Sequence, residues 1–257
     1  MAEAPTYAIL GRGRWAKRMR GILDGDGRRV VTVEETRQQT SESDAEYRSR
    51  LTRSLETSSA QVAWLCVSPS AHIPLMVEAA IAAGMHSVVE KPWQCSRVRS
   101  ESLSALALGR NRLVAIHTQF CLLTEVEAWH RDFRDATGLH FGGRFAVDHP
   151  GHLGIPALDD LGSHLLAIRA YAAPQSIIAE IQCGYDLPAE RRVWIETRDT
   201  KTKAIDFLGS KEPVIQRYIR KLEAAIAGAD FPFDLAFASR VADDLAALKA
   251  SGSGKSG

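Results

Sequence analysis

From Tyr7 to about Thr118, short apolar runs alternate with stretches whose apolar residues recur at helical spacing. The runs are YAIL, RRVVTV, VAWLCV, HSVVE and RLVAIH. Strands alternating with helices predict a parallel sheet with crossover connections. Between the third and fourth runs, Ser70 is placed to cap a helix that has Pro74 in its first turn and Gly84 at its end. Leu75, Met76, Ala79, Ala80 and Ala83 keep a helical apolar stripe through it, so the segment reads as a βαβ unit.

Beyond Thr118 the rhythm changes. A helix is predicted over about Thr124 to Ala136, followed by the strand-like FGGRFAVD, a Gly/Pro/His loop and a helix near Leu158 to Tyr171. Three strand-like runs follow, SIIAEIQCG, RRVWIET and TKAIDFLG. Two helices near 213–227 and 235–250, separated by Gly228 and Pro232, finish the pattern. Strands grouped between helices predict an α+β unit with a mainly antiparallel sheet. The division is therefore residues 1–118, residues 119–250 and a flexible tail, SGSGKSG, at 251–257.

Composition narrows the class. The chain has 257 residues, 45% apolar and 25% charged, with 32 basic and 31 acidic side chains, which is the profile of a globular protein. A formal charge of +1 provides no broad positive field, so neither nucleic acid nor an anionic membrane is an expected partner. Apolar stretches such as Ala63 to Val67 are far too short to span a bilayer. The N-terminus carries Glu3 and no basic region, unlike a signal peptide. Cys66, Cys95, Cys121 and Cys183 stand singly, which argues against a zinc knuckle or disulfide framework and makes a reducing cytoplasm the expected compartment.

The first strand runs into Gly11-Arg12-Gly13-Arg14-Trp15-Ala16, a GxGxxA pattern between strand and helix. Gly11 permits a tight turn, Gly13 removes a Cβ from the path of a pyrophosphate, and Ala16 lets helix and strand approach. Trp15 is expected to pack under the loop. The next strand ends at Glu34 and Glu35, 23 and 24 residues after Gly11, near the spacing of a carboxylate that binds ribose hydroxyls. Such a carboxylate favours NAD by repelling a 2′-phosphate, whereas Arg37 or Arg12 would receive one and favour NADP. Both cofactors stay open.

Four patterns together resemble the glucose-fructose oxidoreductase and inositol dehydrogenase (Gfo/Idh/MocA) family: the glycine turn, Val67-Ser68-Pro69-Ser70-Ala71-His72, Glu90-Lys91-Pro92, and Asp160-Leu161-Gly162-Ser163-His164. The resemblance implies a Rossmann domain over residues 1–118 and an α+β domain whose open sheet mediates homo-oligomerisation. It also implies hydride exchange between a nicotinamide and a carbon bearing oxygen or, in some members, nitrogen. Ser68 and Pro69 correspond to the segment along the nicotinamide side of the cofactor, and Glu90, Lys91 and Pro92 to its strand-end motif. His72 belongs either with that segment or with the first turn of the following helix. The chain departs from the family in its length, the shortfall falling in the second sheet. It also reads His117-Thr118-Gln119-Phe120 where relatives often carry an arginine, and has no acidic residue after His164.

Lys91 ends a predicted parallel strand, where open α/β sheets place ligands, and its ammonium can stabilise charge growing on a carbonyl oxygen. Asp160 and His164 are four residues apart, so on a helix they share a face, where the carboxylate fixes the tautomer of a proton-transferring imidazole. Gly162 between them leaves room for substrate or nicotinamide. These are the expected catalytic residues. Trp93 is either a cofactor-side wall or a packing residue, with packing favoured. The loop Asp148-His149-Pro150-Gly151-His152 lacks zinc-site spacing, and no metal is expected.

The leading expectation is an NAD(P)-dependent oxidoreductase of a small polar metabolite, a sugar or cyclitol. Reduction of a C=N bond is the enzymatic alternative. A cofactor-binding sensor or partner protein without turnover is the alternative from another class.

Overall fold

In a computed structural model of the protein, residues 4–33, 36–149, 155–197, 201–251 and the backbone of 254–256 are described. They form two units. The first contains the chain through His117 together with Ile219–Ser239, and the second contains Thr118–Tyr218 together with Arg240 onward.

In the first unit, β1 (Tyr7–Leu10), β2 (Val30–Val33), β3 (Val62–Leu65), β4 (His86–Glu90) and β5 (Val114–His117) form a sheet in the order β2-β1-β3-β4-β5. Every neighbouring pair is parallel, so all five strands end at the same edge. The crossovers are α1 (Arg14–Gly25), α2 (Asp44–Ser58), α3 (Ile73–Ala82) and α4 (Arg97–Gly109). A strand whose two faces are covered by helices reads as a continuous apolar run, and β1 and β3 are buried at every position. The core includes Leu10, Leu51, Leu65, Val77 and Val89. Leu235 and Ala238 join this core from the C-terminal part of the chain, where Ile116 donates to the Phe233 carbonyl at 2.8 Å.

The helix ends follow local chemistry. Ser43 caps α2 through a reciprocal pair with Glu46, and Gly84 closes α3 at φ +75°. Gly84 N–H donates to the Ile81 carbonyl and Met85 N–H to the Ala80 carbonyl, which satisfies two of the last carbonyls of α3. The start of α3 departs from the sequence reading: His72, not Ser70, stands at the N-cap, with no side-chain cap. Ser70 contributes only its carbonyl, which accepts from Ile73 N–H at 3.3 Å, so the chain turns once more before the helix begins.

In the second unit a 3-10 turn (Gln119–Leu122) leads to α5 (Thr124–Phe133), β6 (His140–Ala146), a π-helical turn (Leu158–Gly162), α6 (Ser163–Ala172), β7 (Ile177–Gly184), β8 (Glu190–Glu196) and β9 (Thr202–Asp206). Then come α7 (Val214–Ile226), α8 (Leu235–Ala250) and β10 (Gly254–Ser256), α7 and α8 each running from one unit into the other. The sheet order is β10-β7-β6-β8-β9. It is mixed: β6 is parallel to β7, from which α6 separates it in sequence, and antiparallel to β8, which in turn is antiparallel to β9. Residues 254–256, read from sequence as part of a flexible tail, pair in parallel with β7. Among the described residues no helix is long and apolar enough to cross a membrane.

Candidate functional site

The strand order reverses direction between β1 and β3, and the chain leaves β1 there through the glycine turn. Such a reversal opens a crevice at the carboxyl edge of a parallel sheet. Gly11 has φ +129°, and a Cβ on it would lie 2.2 Å from the Cys66 carbonyl oxygen. Backbone packing between the ends of β1 and β3 therefore requires this glycine. Gly13 differs: its φ is −70°, and no described protein atom lies within 4 Å of a Cβ placed there. It forms the N-cap of α1 without a side-chain cap, while Ala16 is buried in the first turn. Arg12 and Arg14 are exposed beside it.

Trp15 does not simply fill space under the loop. Its ring stacks on His117 at 5.8 Å with a 30° interplanar angle, and Arg18 lies 5.4 Å over it. His117 Nδ1 meets Glu90 Oε1 at 3.0 Å, and Trp64 Nε1 donates to the same oxygen at 2.9 Å. Glu90 and His117 are register partners at the ends of β4 and β5. Burial alone would push the Glu90 carboxyl up, but the His117 imidazole and the Trp64 indole outweigh it and hold the carboxyl below its ordinary value. Glu90 is thus a half-buried carboxylate joining two strand ends to the glycine turn, and Lys91 follows it directly.

Trp93 is a packing residue, 6% exposed, with Nε1 donating to Ser100 Oγ at 2.9 Å. Ser68 is exposed just beyond β3, and Pro69 is half-buried. His72 is exposed, with its ring edge-on to Tyr47 at 6.0 Å. Arg37 is exposed in the segment after β2, where its carbonyl accepts from Arg50 at 2.8 Å and that of Thr36 accepts the Tyr47 hydroxyl at 2.7 Å. Glu34 and Glu35 lie outside the described residues.

In the second unit, Asp160 sits in the π-helical turn and His164 in the first turn of α6, so the uniform α-helix expected across them is not formed. Asp160 Oδ2 accepts the Tyr185 hydroxyl at 2.9 Å. Burial and the neighbouring Asp160 raise the Tyr185 phenol, keeping it a donor. His164 is 7% exposed, edge-on to Phe120 at 4.8 Å and stacked with Phe145 at 5.5 Å. Gly162 is not a gap for a ligand: a Cβ there would lie 2.9 Å from Leu158 Cδ1 and 3.4 Å from Cys183 Sγ, so the tight packing of the turn explains it.

The structure thus gathers the glycine turn, Glu90, Lys91 and Pro92 along one sheet edge of the first unit, and Asp160 with His164 at one turn of the second. Tyr185 and the Glu90–His117 link carried no local signal. The nearest hint was that HSVVE and RLVAIH both end an apolar run on a polar residue. Pro150, Gly151 and His152 lie outside the described residues, and no group of three or more potential metal ligands is found among those described.

No family model matches the chain, and no curated protein matches it by sequence. Solved structures resemble it throughout. UDP-N-acetylglucosamine 3-dehydrogenase GnnA from Acidithiobacillus ferrooxidans superposes with a TM-score of 0.76 at 15% identity, covering 97% of this chain and 98% of that one. GenD2 from gentamicin A biosynthesis, solved with NAD, gives 0.71 at 18% identity and covers 98% and 95%. The WlbA dehydrogenase from Thermus thermophilus, solved with NAD and UDP-GlcNAcA, gives 0.67 at 13% identity and covers 95% and 94%. At these identities the likeness establishes the fold, a parallel α/β unit joined to a mixed-sheet unit.

Proposed function

We propose that the protein is an NAD(P)-dependent oxidoreductase of the glucose-fructose oxidoreductase and inositol dehydrogenase type, acting at a carbon bearing oxygen in a small polar metabolite such as a sugar or cyclitol. The observation that carries this reading is the contrast within the glycine turn. Packing against Cys66 accounts for Gly11, whereas no described atom accounts for the missing side chain of Gly13. Open space at Gly13, beside the start of α1 and at the strand-order reversal, fits a pyrophosphate. Gly11 to Ala16, with Ser68, Pro69 and His72 beyond the next strand, would hold the dinucleotide. The solved neighbours crystallised with NAD support the same cofactor.

When bound, the nicotinamide supplies or accepts the hydride. The chain's own residues do the rest. The Lys91 ammonium stabilises negative charge on the substrate oxygen. The His164 imidazole takes or gives that oxygen's proton, and Asp160, held by Tyr185, positions it. Glu90 acts from below the turn, through His117 and Trp15, as a positioning residue. The outer sheet face of the second unit, where Trp194 lies across Gly142, is assigned to homo-oligomer formation, which size-exclusion chromatography with light scattering tests.

Lys91→Met and His164→Ala should each lower turnover at least about 100-fold and leave cofactor affinity nearly unchanged. Unchanged turnover in both variants contradicts the assignment. A panel of carbonyl and imine substrates, followed by nicotinamide absorbance, separates C=O from C=N chemistry. Cofactor binding with no turnover across that panel supports a sensor instead.

A further inference from the structure

The segment that leaves β2 is tied to α2 at two successive carbonyls. Val33, at the end of β2, is the register partner of Leu10, the residue before Gly11, so the chain leaves the sheet beside the glycine turn. Just beyond, the Thr36 carbonyl accepts the Tyr47 hydroxyl at 2.7 Å. The Arg37 carbonyl accepts from Arg50 Nη2 at 2.8 Å. Arg50 also donates to both carboxylate oxygens of Glu42, at 2.8 and 3.0 Å, and its guanidinium lies 5.5 Å over the Tyr47 ring. The Glu42 carboxylate in turn accepts from Gln39 N–H at 3.1 Å, and the Glu42 carbonyl accepts from Gln38 Nε2 at 2.7 Å. This clamp has a fixed base, because the reciprocal cap between Ser43 and Glu46 sets the start of α2.

Packing does not require these polar groups. Tyr47, Leu51 and Leu55 recur at helical spacing and are fully buried, and the two leucines fill that face of α2 with no polar atom. A phenylalanine at 47 would bury the same ring, so what the hydroxyl adds is its hold on the Thr36 carbonyl. Segments between elements are ordinarily mobile, and those that bind ligands depend on the scaffold to place them. A dinucleotide with its pyrophosphate at Gly13 lays its adenosine ribose against the end of the second strand. The clamped segment continues that strand, and the Arg37 side chain stays exposed while its carbonyl is held.

We propose that Tyr47 and Arg50 are positioning residues for the cofactor. Acting through residues 36 and 37 rather than on the dinucleotide itself, they set how firmly its ribose end is held and whether a 2′-hydroxyl or a 2′-phosphate is preferred. The inference rests on the reading of the glycine turn as the pyrophosphate site.

The test titrates NADH and NADPH into the full chain, read by nicotinamide fluorescence, with the folding of each variant checked by circular dichroism. The wild type should prefer one dinucleotide at least about tenfold. Tyr47→Phe keeps the ring and loses one neutral hydrogen bond, and should reduce that ratio about fivefold. Arg50→Lys keeps the charge but lacks the planar fork that reaches Glu42 and the Arg37 carbonyl together, and should reduce it by a similar factor. If neither variant folds, Glu42→Gln decides, since it loosens Arg50 without touching the packed face of α2 and should also reduce the ratio. A merely structural role would weaken both dinucleotides equally and leave the ratio as it was. An unchanged ratio in a folded variant, or a wild type that binds both dinucleotides equally, overturns the proposal and leaves the pyrophosphate reading standing. A wild type that binds neither refutes that reading and the proposal with it.

Discussion

Two glycines two residues apart carry different duties, and substitution separates them. Gly11→Ala forces a side chain into a backbone with φ +129° and into the Cys66 carbonyl. It should cost about 2–4 kcal/mol of stability, measured by urea denaturation. His86 offers a second residue-scale prediction. Its Nδ1 accepts from Leu113 N–H at 3.0 Å, and burial, with Arg112 nearby, holds its pKa down to about 4. The unfolded chain takes up a proton below about 6.5 while the folded chain does not, so stability falls as pH drops from 6.5 toward 4. About 1–2 kcal/mol should be lost between pH 7 and pH 5. His86→Asn, which keeps an acceptor but cannot titrate, should flatten that slope. An unchanged slope would place the pH dependence elsewhere.

At the scale of elements, polar links across long sequence separations tie the helices to the sheets. Glu223 of α7 takes a bidentate pair from Arg28 at 2.6 and 2.9 Å and the Tyr7 hydroxyl at 2.9 Å. The side chains of Arg28 and Glu223 are only 11% and 19% exposed. Glu223→Ala strands a poorly solvated guanidinium and should cost about 3 kcal/mol, whereas the Arg28→Met/Glu223→Met double variant should cost less than the single one. Equal costs would show the pair to be solvated. Such links explain what the sequence could not disclose. The β-rich runs, the Gly84 helix end and the apolar stripe of α3 are local and were legible as periodicity and punctuation. The Glu90–His117 bond depends on the register of β4 against β5, and the Tyr185–Asp160 bond on the return of β7. Neither leaves a mark at fixed spacing. The π-helical turn was hidden because Asp160 and His164 keep the spacing of an α-helix, and the close approach of Leu158 and Cys183 to Gly162 is settled by packing.

For the molecule as a whole, the fold class follows from alternating elements in the first unit and grouped strands in the second, and structures at 13–18% identity share it. That persistence fits a fold set by hydrophobic pattern rather than by particular side chains. Function rests on far fewer positions, and its central claim is that the glycine turn takes a pyrophosphate. Calorimetric titration of NAD and NADP into the wild type and Gly13→Ala tests it most directly, because open space and φ −70° make alanine structurally harmless there. The account predicts a folded variant whose stability changes by no more than about 1 kcal/mol, the weaker N-cap and the stiffer unfolded chain opposing each other, and whose cofactor affinity is at least about tenfold weaker. Wild-type affinity in the variant, or no binding of either dinucleotide to the wild type, would contradict it.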